Sequence, residues 1–254
     1  MLLIEFHICH LIPELCKMIN RISQILNLSD SENRVMPPTE LYNEGWMLRI
    51  VLDWFAQQAP DKHPLSFAEN TRWYSELLLP SPFLPRSRKD PLAEAYTHAD
   101  GAIGHFTIGR SGKGDINLDA DAKQLVVIEA KMFSRLSKGI KNFKDYDQAT
   151  RNVACMAKEL SLANLPVNDI RNLGFYVIAP EKQLEKEPTF NSFLRKESMI
   201  EKVKHRVEAY GSDKEADEKN EWYDKWFVPT IDKIDIKTLS WEEIIDCDKQ
   251  LQDD

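Results

Sequence analysis

The segment QLVVIEAKM, residues 124–132, constrains this chain more than any other. In an extended strand, alternation puts Leu125, Val127, Glu129 and Lys131 on one face and Val126, Ile128, Ala130 and Met132 on the other. A strand that is apolar on both faces belongs in the middle of a sheet covered on both sides. This one ends in a carboxylate and an ammonium on the same face, roughly 6.5–7 Å apart along the strand. An ion pair closing a strand end gives this pattern, and so does a catalytic pair.

A second carboxylate decides what the pair can do. The segment GDINL (114–118) precedes the apolar strand by a short turn, DADAK, as in a β-hairpin. Folding that hairpin sets Asp115 opposite a position near Val127–Glu129, and directly opposed residues share a face. Two facing carboxylates repel, and a hard divalent cation resolves the conflict. Asp100, which opens the preceding strand, competes with Asp115 for the same place.

The rest of the chain supplies helices on both sides of these strands. Pro37 and Pro38 mark the start of a helix over 39–58. Its apolar stripe reads Leu41, Glu44, Met47/Leu48, Val51 and Trp54/Phe55. Glu44 on that stripe either needs a partner or sits at its edge and reaches water. Residues 68–79 read as helical, followed by a loop with Pro80, Pro82, Pro85 and Pro91. HADGAIGHFTIG, GDINL and QLVVIEAKM read as three strands, 146–163 as a long helix, and LGFYVIAP as a further strand. Beyond Pro180 the expected elements are helices near 189–210 and 218–227, the strand KIDIKTL and the helix SWEEIID. Ser240 and Glu243 there have capping-box spacing.

Asp115 followed by Glu129-Ala130-Lys131 at the end of an apolar strand resembles the PD-(D/E)XK nuclease superfamily, the restriction-endonuclease-like fold. The resemblance runs from the Glu44 helix through the strand at 173–180, somewhat over half the chain. It implies an α/β core of order α-β-β-β-α-β, a mixed central sheet flanked by helices, with extra N- and C-terminal helices. The expected organisation is an N-terminal helical appendage over 1–35, the core over 36–180, and a charged helical region with a terminal strand and helix over 181–254. By the same resemblance, Asp115, Glu129 and the Ala130 carbonyl hold Mg²⁺, with Mn²⁺ able to substitute. Lys131 orients or activates water, Glu44 is an auxiliary acid, and Gln148 an auxiliary polar residue on the second helix. Gly114 stands before Asp115 where the motif has proline. The implied activity is phosphodiester hydrolysis, in DNA rather than RNA. A restriction or anti-phage assembly with an ATPase or helicase subunit suits such a nuclease, as does a homo-oligomer. A catalytically inactive module that binds nucleic acid or a partner protein is the alternative.

The charge distribution permits that reading. The net charge of −8 argues against a protein that coats nucleic acid, which would be basic. From 131 to 151, however, Lys131, Arg135, Lys138, Lys141, Lys144 and Arg151 face only Asp145 and Asp147. Arg135, Lys138, Lys141, Lys144 and Arg151 are therefore candidate phosphate contacts, with a solvated loop giving the same composition.

Other features lead elsewhere. The four cysteines form no CxxC pair, and His7, Cys9, His10 and Cys16 fit no zinc spacing; an amphipathic helix over 11–27 explains that end. No apolar run is long enough for a membrane span, so a cytoplasmic protein is expected. GHFTIGRS nearly spells a P-loop, with Arg110 at the lysine position, but leads towards a strand where a P-loop needs a helix. Trp222 and Trp226 read as core rather than as a stacking platform.

Overall fold

The computed structural model describes residues 43–58, 62–85, 87–88, 90–109, 114–132, 134–139, 143–186, 188–211 and 214–252. The expected 11–27 helix, the His7–Cys16 group, Lys141 and Arg110 lie outside them. Two compact units divide the chain, Met1–Met47 and Leu48–Asp254. The charged region after Pro180 thus belongs to the same unit as the sheet.

The elements run α1 (Glu44–Gln58), β1 (Arg72–Leu79), β2 (Thr97–Gly104), β3 (Phe106–Ile108), β4 (Ile116–Leu118), β5 (Gln124–Ala130), α2 (Gln148–Leu162) and β6 (Asn172–Ala179). There follow α3 (Glu181–Lys186), α4 (Pro188–Phe193), α5 (Lys196–Glu208), α6 (Lys214–Trp222), a π-helical turn (Tyr223–Phe227), α7 (Val228–Lys233), β7 (Asp235–Ser240) and α8 (Trp241–Gln252). A single 3₁₀ turn, Val167–Asp169, lies between α2 and β6.

The main sheet is mixed, in the order β1-β2-β5-β6-β7. The pairs β1–β2 and β2–β5 are antiparallel; β5–β6 and β6–β7 are parallel. As its composition requires, β5 is central and buried at every position. Its Leu125 and Val127 join the core cluster built with Val153, Met156 and Leu160 of α2. Val126 and Ile128 take the other face. Ile128 is registered with Gly101 of β2, and a Cβ at Gly101 would lie 2.9 Å from Leu48 of α1. Helices therefore cover both faces, and Glu129 points to the α2 side.

The expected strand HADGAIGHFTIG is divided at His105 into β2 and β3, and two other expected elements differ in type or pairing. Residues 72–79 form strand β1, not a helix. Glu76 has a positive φ of 56°, and the β1–β2 ladder passes from Ser75↔Gly101 to Leu77↔Ala99 without a Glu76–Asp100 pair. Three successive leucines, Leu77–Leu79, leave the two-residue period without a clear polar–apolar alternation in the sequence. GDINL does not pair with β5 either: β4 closes a separate two-stranded sheet with β3, Ile108 opposite Ile116. The place beside β5 is taken by β2.

The expected helix at 189–210 is divided into α4 and α5, and that at 218–227 passes from α6 into the π-helical turn. Their inner sides join the main core through Val203, Val207, Trp222, Trp226 and Phe227, so both tryptophans are core residues. Arg206, fully buried, lies over the rings of Phe143, Phe83 and Tyr146 at 4.0, 4.6 and 5.6 Å and donates to the Leu92 carbonyl at 2.6 Å. The Ser240–Glu243 capping box forms as expected, with both reciprocal bonds at 3.0 Å.

Close approach of β2 and β5 requires glycine at one position. A Cβ on Gly104 would meet the Gln124 carbonyl oxygen at 2.5 Å, and that oxygen belongs to paired backbone. Gly104→Ala is expected to cost about 1–3 kcal/mol, the range for overpacking an ordered interior, read as a lower thermal unfolding midpoint.

Candidate functional site

The β2–β5 register runs from Gly104↔Leu125 to Gly101↔Ile128. One residue further it sets Asp100 opposite Glu129. The backbone ladder stops there, and the Asp100 side chain continues it: Oδ2 accepts the Ala130 N–H at 2.7 Å. Asp100, rather than Asp115, is therefore the carboxylate that the β2–β5 register brings beside Glu129 and Lys131. Asp115 follows Gly114, makes a bridge to Leu78 of β1, and accepts the Gly109 N–H at 2.7 Å with its carbonyl. Its position is fixed by the β3–β4 hairpin, which the expected β4–β5 pairing left out.

Glu129 and Lys131 share a face as strand alternation required. Lys131 Nζ lies 2.5 Å from Glu129 Oε1 and 3.7 Å from Asp100 Oδ2. Both Glu129 and Lys131 are buried, while Asp100 keeps a quarter of its side chain exposed, so the cluster reaches solvent through the aspartate. Burial first, and the Asp100 charge second, push the Glu129 carboxyl up to about 8, against the opposing effect of Lys131.

Helix α2 supplies the remaining partners. Asp147 caps it, its carboxylate accepting the Thr150 N–H at 2.9 Å and the Lys202 ammonium at 2.6 Å. The first residue of the helix, Gln148, donates through Nε2 to Glu129 Oε1. One turn on, Asn152 Nδ2 donates to Glu129 Oε2 at 3.3 Å. Positions i and i+4 share a helix face, so two amides grip the two oxygens of one carboxylate. Asn152 is absent from the residues expected from sequence. Its signal was a polar side chain four residues after Gln148, on a face otherwise made by Ala149, Val153 and Met156.

Gln148 also anchors the chain that leaves the site. Its Oε1 accepts the Ser137 N–H at 3.1 Å and its own N–H donates to the Ser137 carbonyl at 3.0 Å. The same loop is held at Ser134, whose carbonyl accepts from Gln183 Nε2 at 2.6 Å, and at Lys131, whose carbonyl accepts from Trp241 Nε1 at 2.9 Å. Arg135 and Lys138 are exposed on this loop. Lys144 lines a cleft of about 510 Å³ with Phe143, Lys202 and His205.

Arg151 has a different place from the one expected. It turns inward to Glu94, a buried carboxylate on which Ser81 also donates at 2.9 Å, and reaches Thr97 at 3.4 Å. A buried carboxylate needs a cation more than an exposed loop does. Glu44, half-buried, is the first residue of α1 and belongs to the N-terminal unit.

The donor set suits a hard divalent ion. Two carboxylates meet at the end of β5, one of them protonating far above its ordinary range, and Asn152 Oδ1 is buried without a hydrogen-bond partner. A divalent cation beside the carboxylates would offset the Asp100 charge, the second cause of that shift, and the oxygens present are hard donors of the kind Mg²⁺ and Mn²⁺ take. Among the described residues, no group of three or more His, Cys, Asp or Glu side chains is arranged to hold a metal, so the carboxylate pair would need backbone, amide or water oxygens to complete a shell. No helix of the described residues is long and apolar enough to cross a membrane. Comparison with protein-family models, with curated proteins and with solved structures gives no match.

Two expected outcomes separate structural from functional charges. Arg151→Met leaves Glu94 buried without its cation and is expected to cost about 3 kcal/mol, read by chemical denaturation; a pure phosphate contact would leave stability unchanged. Glu159, on α2, is 2% exposed, and burial pushes its carboxyl up to about 7 from 4.5. The unfolded chain loses this proton at lower pH than the folded chain does. Stability therefore falls as pH rises from 4.5 through about 7. Glu159→Gln should gain on the order of 2–3 kcal/mol over wild type at pH 8 and almost nothing near pH 4.5, measured as paired unfolding curves.

Proposed function

We propose that this chain is a divalent-metal-dependent nuclease that hydrolyses phosphodiester bonds in DNA, built on a restriction-endonuclease-like core of the PD-(D/E)XK superfamily. The observation that carries the reading is the convergence of Asp100, Glu129 and Lys131 at the point where the β2–β5 ladder ends. The element order supports it. With β3–β4 set aside as an inserted hairpin, α1, β1, β2, β5, α2 and β6 give α-β-β-β-α-β around a mixed sheet. In this proposal Asp100 takes the place that the sequence offered to Asp115.

Asp100 and Glu129, with the Ala130 carbonyl, would hold Mg²⁺ or Mn²⁺. Bound there, the ion would supply Lewis-acid polarisation of a phosphate oxygen and of the attacking water. The protein's own groups do the rest. Lys131 holds a positive charge beside the carboxylates, nearer Glu129, where it orients the attacking water and offsets negative charge gathering on the phosphate. Gln148 and Asn152 keep both Glu129 oxygens in fixed directions, so the carboxylate loses little freedom when it acts. Arg135 and Lys138, exposed on the loop that starts at Lys131, contact backbone phosphates, which gives affinity without sequence readout. Assembly with an ATPase or helicase subunit of a defence system belongs to the same proposal and rests on the family resemblance.

Plasmid nicking in Mg²⁺ and in Mn²⁺ tests it. Asp100→Asn keeps the bond from Ala130 but removes the charge, and with Lys131→Ala it should lower the rate about 100-fold or more. Asp115→Asn should stay within about threefold of wild type, because a surface-type change away from the reacting atoms carries no such loss. Loss of activity in Asp115→Asn alone would return the acidic role to Asp115. A wild-type chain that binds DNA but cleaves it with neither metal is a binding module.

A further inference from the structure

We infer that Trp241, the first residue of the C-terminal helix, is a positioning residue for Lys131. The inference rests on the nuclease reading for its kinetic consequence only. The last β5–β6 pair is Ala130↔Ile178, so Lys131 is the first residue beyond the strand. Two bonds hold its backbone there. Its N–H donates to the Ile178 carbonyl at 2.7 Å, and its carbonyl accepts the indole N–H of Trp241 at 2.9 Å.

The indole is itself well anchored. Trp241 is 3% exposed. It directly follows Ser240, which is paired with Ala179 in the edge strand β7 and bonded reciprocally to Glu243 of α8. Tryptophan has a single donor and no acceptor, so this N–H has one bond to give. It gives it to the residue whose ammonium lies 2.5 Å from Glu129 and 3.7 Å from Asp100. A lysine side chain is long and flexible. A small rotation of its peptide swings the ammonium away from both carboxylates. The edge of the sheet thus sets where the charge sits in its centre.

Packing alone would make Trp241 an ordinary core residue, and Trp241→Phe separates the two roles by keeping a buried ring while removing the donor. The readout independent of activity is reductive methylation of the full chain, followed by peptide mass spectrometry, with exposed Lys138 as internal reference. Trp241→Phe should raise the methylation rate of Lys131 relative to Lys138 roughly fivefold, as losing about 1 kcal/mol of closure would. In the nicking assay kcat should fall about 10- to 100-fold, with KM within about twofold because substrate contacts are untouched. Unchanged Lys131 labelling in a folded Trp241→Phe chain overturns the inference. If that variant does not fold, Glu243→Ala, which loosens the cap behind the indole, carries the test: faster Lys131 labelling supports the inference and wild-type labelling overturns it. A wild-type chain without nuclease activity sinks the nuclease reading, and the labelling result still decides the role of Trp241.

Discussion

The buried carboxylate of Glu129 is the interaction on which the rest of the structure is arranged. Removing an ionisable group from water costs several kcal/mol unless it is paired and hydrogen-bonded. The neighbourhood of Glu129 meets that cost from two directions. Lys131 comes from its own strand, and Gln148 and Asn152 from the helix packed on that face, while the Asp100 charge on the adjacent strand adds to the cost. The apolar faces of β5 put it at the centre of the sheet, which buries the glutamate, and α2 begins at Gln148, within reach of it. β2 must interrupt its ladder to bring up an aspartate whose side chain takes over a backbone bond.

How much of this the sequence disclosed depended on how local each signal was. The strand at 124–130, the shared face of Glu129 and Lys131, the helix carrying Gln148 and the capping box at Ser240 all rest on spacings within a few residues, and each is found in the structure. Asp115 and Asp100 could be told apart only by knowing which strand lies beside β5, a contact between residues some thirty positions apart. The shortest connection favoured β4, but β4 is satisfied by β3. β1 is masked by three successive leucines, Leu77–Leu79, and beside them Glu76 sits in left-handed backbone, in the row that also holds Asp100. A positive φ at a non-glycine residue is uncommon and stores strain, so it persists only where neighbours fix it. Here Arg49 donates to Ser75 at 2.9 Å and pairs with Glu76 at 3.5 Å.

Charge misled in a related way. Arg151 counted towards a basic run near the site, but its partner Glu94 lies fifty-seven positions earlier and inside the core. The acidic, charged stretch after Pro180 read as a region apart. Its inward residues, with Arg206 held among three aromatic rings, complete the core that the sheet and α2 begin. Composition reports the outward side of such helices; only contacts report the inward one.

Gln148 illustrates how a site can tolerate drift in its surroundings. It touches Glu129 by side chain but Ser137 only through that residue's N–H and carbonyl. Any amino acid other than proline can present those two groups. Position 137 is therefore open to replacement while position 148 is not. Among chains descended from this one, position 137 can change its side chain, and with it the surface chemistry there, without releasing the carboxylate.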